Sequence, residues 1–385
     1  MSYRSSLVLI PALSFVLSMS AMADITLNNG ADINMTGSPG STIIFPDGSI
    51  QSTATVAGPQ GDPGADGAAG ADGSDAAVPT GHGGTGNTVT GTDSFVGGGE
   101  SNTASGDRST VGGGFFNEAS GSSSTVGGGY SNTASNDYAT VSGGLVNTAS
   151  AIGSTVGGGG DNDAISLAST VGGGESNTAS GDASTVAGGY YNDAQADYAT
   201  IAGGGPSDPM SNPTTTNNFV TDDYGAIGGG GGNQAGNGGV DTTDAAYATV
   251  AGGRNNMASG DRSTVGGGFG NEATDDYATV AGGKNNTASN PYATVGGGSY
   301  NEAIADYSTV AGGYVNEAIA DYSTVAGGYV NTASGIYSTV AGGWGNTAAG
   351  SFSFAAGTSA NDGGNHHTFV WDDGSGSDAT LANTF

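Results

Sequence analysis

Hydrophobic and polar positions along this chain recur every fifteen residues, neither alternating like a long strand nor returning every three to four residues like a helix face. Residues 321–335 read Asp-Tyr-Ser-Thr-Val-Ala-Gly-Gly-Tyr-Val-Asn-Thr-Ala-Ser-Gly. The Thr of the Ser/Ala-Thr-Val triplet marks each unit: Thr110, Thr125, Thr140 and onward to Thr200, then Thr249, Thr264 and onward to Thr339, with Phe95 and Phe354 in the same slot at the ends. Position one after it is Val or Ile in sixteen of seventeen units, Ala355 being the exception. Two glycines follow, as at Gly113-Gly114 and Gly327-Gly328; seven after the marker comes Asn in sixteen units, and nine after it Ala in fifteen. Val and Ala are the repeated apolar slots and are expected to point inward, with polar residues such as Glu118, Glu272 and Glu302 pointing out. Each unit then supplies two short strands, Tyr-Ser-Thr-Val-Ala and Asn-x-Ala, joined by glycine turns.

Short, nearly identical units that cannot bury a face alone imply stacking. The predicted fold is all-β: a parallel β-solenoid, or β-roll, of about 17 fifteen-residue coils over 93–361. At ~4.8 Å per coil it forms a rod of roughly 80 Å. Thr200 to Ala226 and Ala226 to Thr249 are too long by eleven and eight residues, so insertions are expected near 205–222 and 236–243. The Asn column (Asn117, Asn132, Asn147, Asn316, Asn331) is expected to bond the backbone of neighbouring coils as a structural ladder.

Period two places Tyr and Thr on the face opposite Ser and Val. Tyr277, Tyr292, Tyr307, Tyr322, Tyr337 and Phe352, each two before the marker, then form an aromatic stripe. The stripe suits packing within the coil or against partner subunits, and also suits a strip on which glycans stack. The fifth position after the marker varies freely, and Phe115, Tyr130, Tyr314, Tyr329 and Trp344 in it are the candidate contact surface. A tolerant surface loop accounts for the same variation.

The chain has 385 residues, 77 of them Gly, no Cys, and five Lys plus Arg against 35 Asp plus Glu, for a net charge of −30. That balance argues against nucleic acid as a partner, and the absence of Cys rules out disulfides. Arg4, an apolar run from Leu7 to Leu17 and Ala21-Met22-Ala23 read as a signal peptide over 1–23, implying a secreted or cell-surface bacterial protein with no membrane span in the mature chain. Residues 24–57 carry short strand-like runs. Glycines at every third position from Gly58 to Gly73 make 58–75 a collagen-like segment, or a flexible Gly/Ala/Asp linker. Residues 76–92 read as a linker and 362–385 as a C-terminal cap.

The Ser-Thr-Val-Ala/Gly-Gly…Asn-x-Ala-x-Gly unit resembles the head repeat of trimeric autotransporter adhesins (YadA-like heads), although it is one residue longer and has a doubled glycine. Residues 351–371 and the stretch 45–53 resemble secreted repeat proteins related to phage tail fibres. The resemblances imply a left-handed roll, a homotrimer and an adhesive role towards a cell surface, host or matrix.

Candidate chemistry is sparse. His82, His366 and His367 are the only histidines, and the adjacent pair is a weak metal hint. No cofactor is expected; Asp137, Asp197, Asp276, Asp306 and Asp321 are expected to be solvated or to bind Ca²⁺ weakly. No nucleophile–His–acid set is arguable, so an enzyme is not expected. The alternative function is a polysaccharide-binding or polysaccharide-degrading solenoid of tail-spike type, its carboxylates (Asp222, Asp223, Asp241, Asp244) at the insertions. An ice-binding Thr face is a further alternative.

Overall fold

The computed structural model describes residues 83–210 and 216–375, with the backbone of the short strands Ile25–Thr26, Ile43–Ile44, Ile50–Gln51 and Ala379–Ala382. The chain divides into two units, 1–74 and 75–385. In the first, Ile25–Thr26 pairs parallel with Ile43–Ile44, which pairs antiparallel with Ile50–Gln51. The signal peptide and the collagen-like triplets lie outside the described residues.

The second unit is all-β, without a helix among the described residues, and is a parallel solenoid with fifteen-residue spacing. Two ladders run along it, made of two-residue strands until the Val ladder lengthens at Thr339–Trp344 and Phe354–Thr358. The Val ladder joins Phe95–Val96, Thr110–Val111 and their successors in register, as in Thr110↔Thr125 and Val111↔Val126, until the register shifts between Val340 and Gly343. The Ala ladder joins Thr103–Ala104, Glu118–Ala119 and onward in the same manner. A third line consists of single bridges at position five, from Thr85 to Tyr190 and from Gly205 to Trp344. In-register pairing puts like beside like, so in most coils Val stacks on Val and Ala on Ala without exposed surface.

Three expectations are corrected here. The first strand is Thr-Val alone: the preceding Tyr has φ near +57 to +60 (Tyr277 57, Tyr292 59, Tyr247 60) and lies in a left-handed turn, so period two does not extend to it. Only the side chain at position five is free to vary, because the backbone there is tied to the neighbouring coils, as when the Phe115 amide donates to Gly129 O at 2.9 Å. The stack also starts earlier than 93: Thr88–Val89, in the segment read as a linker, already pairs with Thr103–Ala104.

Both insertions leave the stack unbroken. The first falls between Gly205 and Asn218, not as far as 222. Asn218 and Val220 take the Asn and Ala slots, and Phe219–Val220 pairs with Asp193–Ala194. The second falls at a different corner, between Gly236 and Ala246, while Ala226↔Thr249 keeps register. At the C-terminal end the last coil is one residue short, so Ala360 rather than Asn361 follows Asn346 in the Asn column. Thr368–Asp373 adds one more parallel strand to the Val ladder, and Ala379–Ala382 closes it antiparallel.

One Val and one Ala per coil make a thin core, each Val contributing about 1.5–3 kcal/mol on burial. The Asn column and the buried Ser or Ala just before each marker Thr fill the rest of the interior. Asn301, which has no exposed surface, donates from its backbone N–H to Asn286 Oδ1 at 3.0 Å. Its Nδ2 donates to Asn286 Oδ1 (3.1 Å), to Gly297 O of its own coil (2.8 Å) and to Gly313 O of the next (2.9 Å). Asn117, Asn132, Asn147, Asn316 and Asn331 repeat this set. These bonds satisfy the glycine-corner carbonyls, which would otherwise be buried without partners.

Candidate contact surface

The left-handed turn before each Thr-Val strand carries its side chain outward, and coil spacing brings successive rings face to face. Tyr198, Tyr224 and Tyr247 stack at 4.7 and 4.8 Å between centroids. The Arg262 guanidinium then lies 5.3 Å from the Tyr247 ring and 5.4 Å from Tyr277. Tyr277, Tyr292, Tyr307, Tyr322, Tyr337 and Phe352 follow at 4.7–5.0 Å with interplanar angles of 2–11°. His367 closes the column 5.1 Å from Phe352. Eleven consecutive coils thus contribute one planar group each. The predicted stripe is the middle of this column. Its two ends and the arginine in it were missed because only an unbroken aromatic run was counted; position two before the marker was the available signal.

Stacking covers the ring faces inside the column and leaves edges and hydroxyls to solvent. Sugars pack against ring faces, so glycan stacking along the interior of the stripe does not fit this geometry. Proximity also acts on the phenols. Desolvation by flanking rings pushes the Tyr292 and Tyr322 hydroxyls above their ordinary range, and the charges of Tyr277 and Tyr307, or of Tyr337 and Tyr307, add to it. A phenol whose folded pKa is raised stabilises the fold below its unfolded value of about 10 and loses that contribution as pH rises through the folded value. In an alkaline absorbance titration, these phenols are therefore expected to ionise later in the folded protein than in urea, and the solenoid to weaken above pH about 10.

Position five forms a second, interrupted ridge. Phe115 and Tyr130 stack at 5.5 Å and Tyr314 and Tyr329 at 5.3 Å, while Trp344 is half exposed. Gly160 and Glu175 interrupt the ridge and leave an apolar-sided groove of about 940 Å³ between Leu145 and Tyr190. Arg254 lies over Phe269 and Lys284 over Tyr300, each at 5.9 Å.

The carboxylates at the insertions hold loops. Asp222 has no exposed surface and accepts from Thr221 Oγ1 and the Asn237 N–H, each at 2.9 Å, and from the Ala245 N–H at 3.3 Å. Burial pushes its carboxyl above the usual range, and those bonds oppose the shift. Asp241 accepts from Thr243, and Asp244 from Asn237 Nδ2. Asp222→Ala removes the two anchors at Asn237 and Ala245 and leaves those from Gly238 to Thr221 and from Asp223 to Thr242. Limited proteolysis is expected to cut near 237–245 several-fold faster, with the far-ultraviolet spectrum unchanged; equal cutting would show that the loop holds itself.

Asp223, Asp244, Asp261 and Asp276 line a shallow depression of about 490 Å³ with Arg262. Among the described residues no group of three or more His, Cys, Asp or Glu is arranged to hold a metal ion. Asp137 and Asp197 each accept a backbone amide of an adjacent coil, from Ser122 and Asp182, and so are partly committed to the turn. His366 does the same through Nδ1, accepting from the Ser351 amide at 2.9 Å. At the C-terminal end, burial raises the Asp362 carboxyl, but the Ser353 side chain together with the Gly350, Gly364 and Ala349 amides outweighs it and leaves it below the usual range. No described helix is long and apolar enough to cross a membrane.

Residues 323–335 match the ubiquitous surface protein adhesin repeat family. The match covers most of a single coil, from the buried Ser323 through the glycine corner and Asn331 to Gly335. No curated protein matches the chain. The repeat match and the solenoid together fit a repetitive adhesive surface protein.

Proposed function

We propose that the protein is an exported adhesive fibre that works by presentation and not by catalysis: the solenoid is a rigid rod displaying two aromatic ridges. The carrying observation is the eleven-group column, which spends one outward side chain in each of eleven consecutive coils on a continuous surface that the core does not need. The adhesin-repeat match over 323–335 supports the same reading. The carboxylates at the insertions are engaged in anchoring loops, which favours display over a hydrolytic site. In its finer form the reading is a YadA-like homotrimer of left-handed rolls at the bacterial surface, with no cofactor. An exposed aromatic edge repeated along a rod suits lateral packing of identical copies.

Two measurements test this. The solution mass of residues 24–385 is expected to be that of three chains; a monomer overturns the trimer. Beads coated with the protein are expected to attach to cells or matrix and uncoated beads to remain free; equal attachment overturns the adhesive role.

A further inference from the structure

Two tyrosines on the column line have ring faces that no stacked neighbour covers. Beyond Tyr198, towards the N-terminus, the same turn position is held by Ala183, Ala168 and Gly153, and then by Tyr138. Tyr138 is 63% and Tyr198 52% exposed, against 39–47% for the tyrosines within the column. Between the two rings lies a trough spanning four coil steps, about 19 Å. Its floor is made of small residues, and Ile152 and Leu167 stand exposed beside it.

The molecule itself shows what such a face accepts. Of the four described cationic residues, three rest on rings: Arg254 on Phe269, Lys284 on Tyr300, and Arg262 between Tyr247 and Tyr277. Arg262 is also paired with the carboxylate just before it, Asp261. The two open rings have that carboxylate too, in Asp137 and Asp197, and each engages a backbone amide through Oδ1. A guanidinium seated there gains a ring face and an adjacent anion together. The net charge of −30 adds long-range attraction for a basic partner.

We infer that this trough binds a basic polypeptide segment of a partner protein, two of whose arginines stack on the inner faces of Tyr138 and Tyr198 while an apolar side chain between them covers Ile152 and Leu167. Seated at the distance Arg262 adopts, the two guanidinium groups lie about 9 Å apart, in reach of arginines two to four residues apart in an extended segment. The inference rests on the adhesive reading for its biological use and supplies the chemistry of the partner.

The probe is a fluorescent peptide, Gly-Arg-Ser-Leu-Ser-Arg-Gly, and its analogue with citrulline in place of both arginines, titrated against the full chain by anisotropy. The arginine peptide is expected to bind at least about tenfold more tightly than the analogue, and less tightly as salt is raised. Ala183→Tyr extends the column over the open face of Tyr198 and is expected to weaken binding about fivefold or more. Tyr138→Ala is expected to do the same. It should fold, since Ala168 and Ala183 occupy this turn position natively with φ of 54. Equal binding of the citrulline peptide, or no loss in Ala183→Tyr, overturns the inference, as does preferential binding of a neutral oligosaccharide that needs the same two tyrosines. Bead attachment retained without arginine-peptide binding defeats this inference alone; attachment absent in the unaltered chain defeats the adhesive reading.

Discussion

Gly328→Ala is expected to destabilise the solenoid by about 4 kcal/mol or more and to open it locally. Gly328 has φ of +97, and a Cβ added there lies 2.3 Å from Gly343 O, 2.7 Å from Asn331 Nδ2 and 2.8 Å from Gly343 N. Two of those atoms are backbone of the next coil. They are held on one side by the Tyr329 amide, which donates to Gly343 O, and on the other by the Asn column. No rotamer change relieves the overlap, so the coils must separate and lose pairing in all three lines. Coupling in a solenoid is mostly between neighbours. Hydrogen exchange is therefore expected to rise over about 323–350, while coils near 110–170 keep their protection. Gly345→Asn is the control. Gly345 has φ of +64 with only Ser359 Oγ within 4 Å, at 3.8 Å, and Asn255 and Asn285 hold the equivalent position natively. A urea midpoint for Gly328→Ala close to that of the control would defeat the close-packing argument.

Asn301→Ala is the second large effect, with an expected loss of about 3–5 kcal/mol. The side chain donates to Asn286 Oδ1, Gly297 O and Gly313 O, and its Oδ1 accepts from the Asn316 backbone and side-chain nitrogens at 3.0 and 3.1 Å. Truncation leaves buried donors and acceptors without partners on both neighbouring coils, which is where most of the penalty arises. Asn301→Asp separates hydrogen bonding from volume. It preserves shape but sets an anion against three carbonyl oxygens, so it is expected to be at least as damaging at neutral pH and to recover part of its stability in acid as it protonates. Urea melts of the three proteins at neutral and acidic pH check this. A milder effect for Asp than for Ala at neutral pH would mean the column acts by filling space.

The fifteen-residue unit, the inward Val and Ala, and the break positions were legible because identical coils force identical demands on identical slots. An in-register stack repeats every environment, so each structural need prints a column in the sequence. Thr200 and its successors show where that legibility stops. Counting from Thr200 finds Ser207 in the Asn slot, whereas the chain loops out for eleven residues and then delivers Asn218 to the ladder. The extent of a loop is set by where pairing resumes, and pairing is a three-dimensional property. The shortened last coil, which puts Ala360 in the Asn column, escaped for the same reason.

The tyrosine position shows the limit most plainly. Alternation assumes an extended backbone, and Tyr-Ser-Thr-Val-Ala reads as strand on composition. The structure ends the strand at Thr because the chain must turn there to close a coil of fifteen residues, and Tyr takes a left-handed conformation that the flanking coils enforce. Its direction, its stacking partners and the covering of its ring faces all follow from that turn. So does the place of Arg262 in an otherwise aromatic column, and so do the two uncovered faces at Tyr138 and Tyr198. By itself the sequence determined the repeat, the all-β class and the residues that line the core, because burial depends on residue type and spacing. Only the tertiary structure decided which outward groups touch one another, because corner dihedrals and coil-to-coil distance set that contact and neither is written in the period.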